Sequence, residues 1–243
     1  MPIDVVLLTK NSERLLEQCL ASVYENVPVA RLIAVDGYSV DKTLSILQKF
    51  NGKYHNVEII FDRGTRASAR QKGIENVRTP WFLFIDSDVV LCKDWYKKAA
   101  GYINANVGAV WGTEVWSTIK NPHMLKLFLV VTRKIFEVRG GTHDTLIRTE
   151  LVKDIQIPRN LHVFEDAYIK NWVTEKGFLA VACYSPFCIH FRPSSVWTFK
   201  GSLGLVNEAL RLASPGLTAK LLFAYAFYTF YSVYQIVLGN QRA

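Results

Sequence analysis

FLFIDSDVVL, residues 82–91, is the stretch whose reading decides the fold. Phe82–Ile85 is a short, unbroken apolar run, as expected of a strand buried on both faces. Asp86 stands where that strand leaves the sheet, and Asp88 follows after a single serine. In an open α/β sheet, ligands bind outside the carboxyl ends of the strands. Two carboxylates flanking one residue at such an end can share a hard divalent cation, Mg2+ or Mn2+, which in turn pairs with diphosphate oxygens. The same pair could also be a turn with two solvated acids, so the sequence around it has to discriminate.

Working toward the N-terminus, the pattern alternates strand and helix. Ile3–Leu8 and Leu32–Val35 read as buried strands, and Val57–Phe61 as a third. Between them lie a helix with Leu15, Leu16, Cys19, Leu20 and Val23 on one face, capped by Asn11 or Ser12, and a helix running from Asp41 to Phe50. Ala67–Val77 reads as a helix between the third strand and Trp81–Ile85. Strands alternating with helices predict an α/β fold with a mostly parallel, doubly wound sheet flanked by helices.

Toward the C-terminus the pattern loosens. Gly108–Val115, Thr142–Arg148 and Phe178–Cys183 read as strands, and Asp166–Lys176 as a helix stopped by Gly177. Met124–Val138 is apolar with Lys126, Arg133 and Lys134 set into it, which suits a helix lying in a membrane interface. Leu221–Gln241 contains no charged residue and is apolar and aromatic almost throughout. That places a boundary near residue 195, with a catalytic domain over 1–195 and hydrophobic helices for membrane attachment over 196–243. A span needs roughly 20 apolar residues. With Arg192, Lys200, Arg211 and Lys220 before the tail and Arg242 after it, the catalytic part would face the cytoplasm at the cell membrane. A buried C-terminal helix or a membrane-lying hairpin fits the same residues.

Composition narrows the classes further. Half of the 243 residues are hydrophobic and 13% aromatic, enough to bury a sizeable core. The net charge of +8 suits an anionic membrane, a phosphorylated substrate or nucleic acid. No aromatic–basic motif of the RNP type supports the last, so no nucleic-acid partner is expected. Cys19, Cys92, Cys183 and Cys188 form no CxxC pair, which excludes a zinc knuckle and points to a reducing compartment. MPIDVVLLTKNSE lacks a basic n-region, so no secretory signal is expected.

Other exits from the sheet carry polar residues too. LLTKNSE, 7–13, brings Thr9 and Asn11 beside the same crevice. IAVDGYSVDKT, 33–43, ends a strand on Asp36, whose carboxylate can accept from a nucleobase N–H or a ribose hydroxyl; Asp41 and Thr43 sit at helix-cap spacing. DRGTRASARQKG, 62–73, sets Arg63, Arg66 and Arg70 near a helix start, where guanidinium forks and the helix N-terminus both attract phosphate.

TKNSE, VDGYSVDKT, ARQKG and FIDSD, in this order and spacing, resemble glycosyltransferase family 2 of the GT-A fold, which includes the polyprenyl-phosphate (dolichol-phosphate) sugar synthases. The likeness covers about the first hundred residues. It implies an inverting, metal-dependent sugar transfer from a nucleotide-sugar donor, a GDP- or UDP-sugar. Thr9, Asn11, Asp36, Arg66, Arg70 and Asp86 would hold the donor, and Asp86 and Asp88 the metal. HVFEDAYIKNWVTEKGF, 162–178, resembles the family's acidic pair before a helix. Carried over, Asp166 is the general base and Glu165 stands behind it. His190 in CIHFRPSS corresponds to a histidine that some members use as a further metal ligand, and GGTHDTLIR resembles the acceptor-side segment through His143 and Asp144. The expected acceptor is lipid-linked or membrane-proximal, a polyprenyl phosphate or a glycan. One departure stands out: the family often has two adjacent acids after the second strand, and here Asp36 is followed by Gly37. A metal-dependent nucleotidyltransferase is the alternative, although LLTKNSE lacks that class's Gly-rich loop; a non-catalytic nucleotide-binding membrane protein is a further one.

Overall fold

A computed structural model describes residues 1–161 and 164–191, together with the single positions 219, 222, 226 and 230; over 131–139 it describes the backbone alone. Arg192, the proposed attachment region 196–243 and the tail Leu221–Gln241 therefore fall outside the described residues, apart from those single positions. Among the described residues no helix is long and apolar enough to cross a membrane.

The chain folds as β1 (Ile3–Thr9), α1 (Leu16–Asn26), β2 (Val29–Asp36), α2 (Thr43–Tyr54), β3 (Val57–Phe61), α3 (Arg66–Asn76), β4 (Trp81–Asp86), β5 (Val89–Leu91), α4 (Trp95–Ala100), β6 (Val107–Trp116), α5 (Pro122–Arg139), β7 (Asp144–Arg148), α6 (Thr149–Val152), α7 (Glu165–Glu175) and β8 (Leu179–His190). The strands form one eight-stranded sheet in the order β3-β2-β1-β4-β7-β6-β8-β5. β3, β2, β1 and β4 are parallel, as the alternation requires. β7 inserts antiparallel between β4 and β6, and β5 pairs antiparallel with β8. The sheet is thus mixed, a GT-A-like α/β arrangement with helices on both faces.

The apolar runs explain the layering. In β1, Ile3, Val5 and Leu7 face one side, where α1, α2 and α4 supply Leu20, Leu47 and Trp95. Val6 faces the other, against Ile74 of α3 and the cluster around Leu151 and Val173. Both faces are covered, so the strands are apolar throughout rather than alternating. Gly73 lets α3 press onto β1: a Cβ there would stand 2.3 Å from Val6 Cγ1. At the opposite end of β1, the buried Asp4 is gripped by the Arg31 fork at 2.7 and 3.2 Å and by the Arg78 and Thr79 amides.

Two local expectations need correction. Neither Asn11 nor Ser12 caps α1 through its side chain; the helix begins after Leu15 without a side-chain cap, because Asn11 Oδ1 takes the Val40 amide and the Ser12 hydroxyl pairs with that of Ser87. α2 starts at Thr43 and runs to Tyr54, beyond Phe50; Asp41 Oδ1 still accepts the Thr43 amide from just outside the helix. α5 spans the segment expected to lie in an interface. It buries Phe128 against Trp116, with ring centroids 5.1 Å apart, and leaves Leu127 and Val130 half exposed.

Candidate active site

Strand register lines up the exits. Thr9 pairs with Asp36 across β1 and β2, and Leu8 with Asp86 across β1 and β4, so three polar exit residues stand side by side at the carboxyl edge. A cavity of about 550 Å3 opens there. Of the residues singled out from sequence, Thr9, Asn11, Arg66, Asp86, Asp88 and His190 line it. Lys10, Arg14 and Asp62 line it as well and carried no distinguishing pattern, being ordinary charged residues in loops.

Asp36 and Arg70 stand behind the cavity wall instead. Asp36 is fully buried and accepts hydrogen bonds from Thr9 Oγ1 (2.9 Å), the Ser39 amide (2.8 Å) and Ser39 Oγ (2.6 Å). Its carboxylate ties two loops together, and further bonds reinforce the seam. The Asn11 amide donates to Ser39 Oγ, the Val40 amide to Asn11 Oδ1, the Glu13 amide to Asp41 and the Lys42 amide to Glu13. Thr43 Oγ1 accepts the Ser12 amide at 2.7 Å. The loops after β1 and β2, two of those that rim the cavity, are thereby one hydrogen-bonded unit.

Arg70 is 2% exposed and packs its guanidinium over Phe84 at 4.9 Å. Its Nη2 donates to Asp86 Oδ1 at 2.9 Å, and its Nε lies 3.5 Å from Glu165 Oε1. Burial raises the Asp86 carboxyl, but the charges of Arg70, His190 and Arg66 outweigh it and hold its pKa below the ordinary aspartate value. Glu165 goes the other way. Burial pushes it up, Arg70 opposes, and the neighbouring Asp166 charge adds to the rise. Asp166, 9% exposed in the first turn of α7, accepts the Ala167 amide at 2.7 Å and does not line the cavity. Of the acidic pair, Glu165 thus reaches Asp86 through Arg70.

The metal-ligand candidates meet because of β5. After Ser87 the chain reverses, and Val89 pairs with His190 of β8 while the Phe191 amide donates to the Asp88 carbonyl at 2.9 Å. His190 Nε2 then lies 3.0 Å from Asp88 Oδ1, and ligand atoms of Asp86, Asp88 and His190 fall within 4.8 Å of one another. The other ring nitrogen, Nδ1, is 2.7 Å from Glu114 Oε1, which also accepts the Trp116 indole N–H at 2.8 Å. Two carboxylates and an imidazole whose far nitrogen is held by a third carboxylate make a donor set that fits a divalent cation. Glu114 was missed from sequence. The signal available was a lone acid inside the apolar strand VGAVWGTEVW.

His143, Asp144 and Cys188 also cluster, but in the interior. Asp144 already accepts from Trp95 Nε1 at 2.9 Å and the Gly112 amide at 3.2 Å, and its Oδ1 lies 3.1 Å from His143 Nε2. Its oxygens are occupied, so the cluster reads as a packed core network.

Known proteins are similar to this chain in sequence and in fold. A poly(ribitol-phosphate) beta-glucosyltransferase of Bacillus spizizenii is 35% identical over 94 residues, 36% of this chain and 15% of its own length. The poly(ribitol-phosphate) beta-N-acetylglucosaminyltransferase TarS of Staphylococcus aureus is 25% identical over 181 residues, 68% of this chain and 31% of its own. The chain thus spans less than a third of either relative. In three dimensions, the mannosyltransferase PcManGT of Pyrobaculum calidifontis, solved with GDP-Man and Mn2+, is similar with a TM-score of 0.70 at 17% identity, over 99% of this chain and 75% of that one. The 1–349 fragment of TarS with UDP-GlcNAc gives 0.61 at 20% identity, over 95% and 73%. At these identities the two structures establish the fold. The profile of glycosyl transferase family 2 matches residues 4–148, which run from β1 through β7 and contain the carboxyl-edge acids. That match covers more than half of the sequence, and on it the chain belongs to glycosyl transferase family 2.

Proposed function

We propose that this chain is an inverting glycosyltransferase that moves a sugar from a UDP- or GDP-sugar to a hydroxyl of a glycan or lipid-linked acceptor. The observation that carries this reading is the convergence of Asp86, Asp88 and His190 at the mouth of a cavity large enough for a nucleotide. The imidazole among the ligands favours Mn2+ over Mg2+, which prefers an all-oxygen shell and gives up water reluctantly. Bound there, the cation would act as a Lewis acid toward the departing diphosphate.

This chain's own residues do the rest. Thr9 and Asn11, fixed by the stitched loops, present the donor's nucleoside end. Lys10, Arg14 and Arg66 supply positive charge around the diphosphate. Asp166, carried over from the family resemblance as the base that takes the acceptor's proton, stands beyond the cavity lining at the start of α7, next to Glu165, which Arg70 holds. An acceptor that needs a base is a hydroxyl rather than a phosphate. Two curated relatives are named for poly(ribitol-phosphate), an anionic polyol chain that suits a protein of charge +8. The uncharged run Leu221–Gln241 would keep such a catalyst at the cytoplasmic face of the cell membrane.

The test is a donor and acceptor matrix. Purified full chain with Mn2+ is given UDP- and GDP-sugars, with poly(ribitol phosphate), a neutral glycan or polyprenyl phosphate. The expected result is nucleoside diphosphate release and a glycosylated hydroxyl acceptor, reduced about 10^2-fold or more in Asp166→Asn. Efficient transfer to polyprenyl phosphate that ignores Asp166→Asn would remove the base from the mechanism. Pyrophosphate release in place of nucleoside diphosphate would make the chain a nucleotidyltransferase.

A further inference from the structure

Glu114 is 1% exposed in the middle of the sheet, where an ionised carboxylate is costly unless it is compensated. It lies on β6 two residues before Trp116, which registers with His190 of β8. The alternation of the strand puts Glu114 and Trp116 on the same inner face, and one oxygen, Oε1, receives both the indole N–H and the Nδ1 side of the imidazole. Packing alone would be met by an apolar residue here. A carboxylate held 2.7 Å from Nδ1 does something an apolar residue cannot: it accepts the hydrogen bond from Nδ1–H, so that Nε2 is the nitrogen left to give up its proton in exchange for a binding cation. Nε2 faces Asp88 Oδ1 at 3.0 Å, beside Asp86. Electron-rich atoms converging in this way attract a cation.

We propose that Glu114 is the positioning residue that makes His190 a ligand through Nε2, and that it thereby biases the site toward cations that accept nitrogen, Mn2+ rather than Mg2+. Carboxylates on the far nitrogen of a ligating histidine fix its orientation and raise its basicity. Mg2+ depends on Asp86 and Asp88 and gains little from the arrangement. The inference rests on the metal-dependent reading above, yet its test requires no sugar transfer.

The experiment is Mn2+ titration of the full chain without nucleotide, followed by electron paramagnetic resonance, with pulsed measurement of nitrogen coupling to the bound ion. The wild-type chain is expected to show a directly coordinated 14N that is lost in His190→Ala. Glu114→Ala, or Glu114→Leu where the smaller residue fails to fold, is expected to lower Mn2+ affinity about 10- to 100-fold and to weaken the nitrogen coupling. Mg2+ affinity, read by competition, should change much less. Glu114→Gln, which keeps an acceptor oxygen, should recover part of the loss. Trp116→Phe removes the other donor to Oε1 and should leave both readings near wild type, which separates positioning from general support of the strand. A folded Glu114→Ala or Glu114→Leu protein with wild-type Mn2+ affinity and unchanged nitrogen coupling overturns the proposal. Mn2+ bound by the wild type with no nitrogen coupling also overturns it, while leaving metal-dependent transfer standing. Mn2+ bound with nitrogen coupling but without any sugar transfer would sink the enzymatic reading and leave this one intact.

Discussion

Asp4 at the amino end of the sheet and the Asp86–Asp88 pair at its carboxyl end use their carboxylates in opposite ways. At the amino end, Asp4 is 1% exposed and saturated: Arg31 grips it with two nitrogens, and the amides of Arg78 and Thr79 complete the shell. Arg31 is in turn held by Glu58 at 3.0 Å and by the Asn76 carbonyl. At the carboxyl end, the side chains of Asp86 and Asp88 are about a third exposed, and they converge with an imidazole on open space. One residue type performs two jobs. A carboxylate whose acceptor capacity is filled by the protein stabilises the fold, whereas carboxylates left converging are available to a ligand.

Several variants would break or sharpen that contrast. The largest effect is expected at the open end. Asp88→Ala should cut sugar transfer about 10^3-fold, roughly 4 kcal/mol, with the unfolding midpoint nearly unchanged. A large loss of stability there would mean that Asp88 is structural after all. At the closed end the sign reverses. Asp4→Ala strands Arg31 and should cost about 3 kcal/mol in urea unfolding, the low end for breaking a buried pair, because Arg31 keeps Glu58. Turnover per folded molecule should stay the same. Between the ends, Gly73→Ala forces a methyl against Val6 and should cost about 1–2 kcal/mol despite better helix propensity.

The smallest effect is a pH dependence. Burial alone would lower the His143 pKa, but the Asp144 charge and hydrogen bond, with Glu114 beyond, leave it above the ordinary 6.5. Protonation therefore favours the folded state. The stabilisation is full below pH 6.5 and fades as pH rises through the raised value. Thermal midpoints should fall over that window in the wild type, and His143→Gln should flatten the slope.

Much of this architecture was legible in the residues. The buried strands announced themselves as continuous apolar runs, and the acids appeared where those runs stop, so the parallel half of the sheet and its carboxyl edge could be read directly. The family resemblance rested on those same exits. What could not be read depended on contacts distant in sequence. β5 is three residues long, too short for a periodic signal, yet its pairing with β8 is what carries Asp88 to His190. The reversed direction of β7 leaves no local mark. Arg70 reads from sequence as a donor-holding arginine near a helix start, and only its packing against Phe84 shows that it is interior. Asp36 stood at the right exit, but the hydroxyls that occupy it come from residues whose turn geometry, with Tyr38 at φ 59°, the sequence does not spell out.

The Arg70 bridge has a consequence for engineering. One guanidinium serves Asp86, within the family-matched segment, and Glu165, well after it. Lysine, a single point charge without a planar fork, is a poor substitute for spanning both partners. A chimaera that exchanges everything beyond β7 to import a new acceptor preference would have to bring a glutamate at this junction. Without it, the graft would leave a cation stranded at the seam between old and new halves.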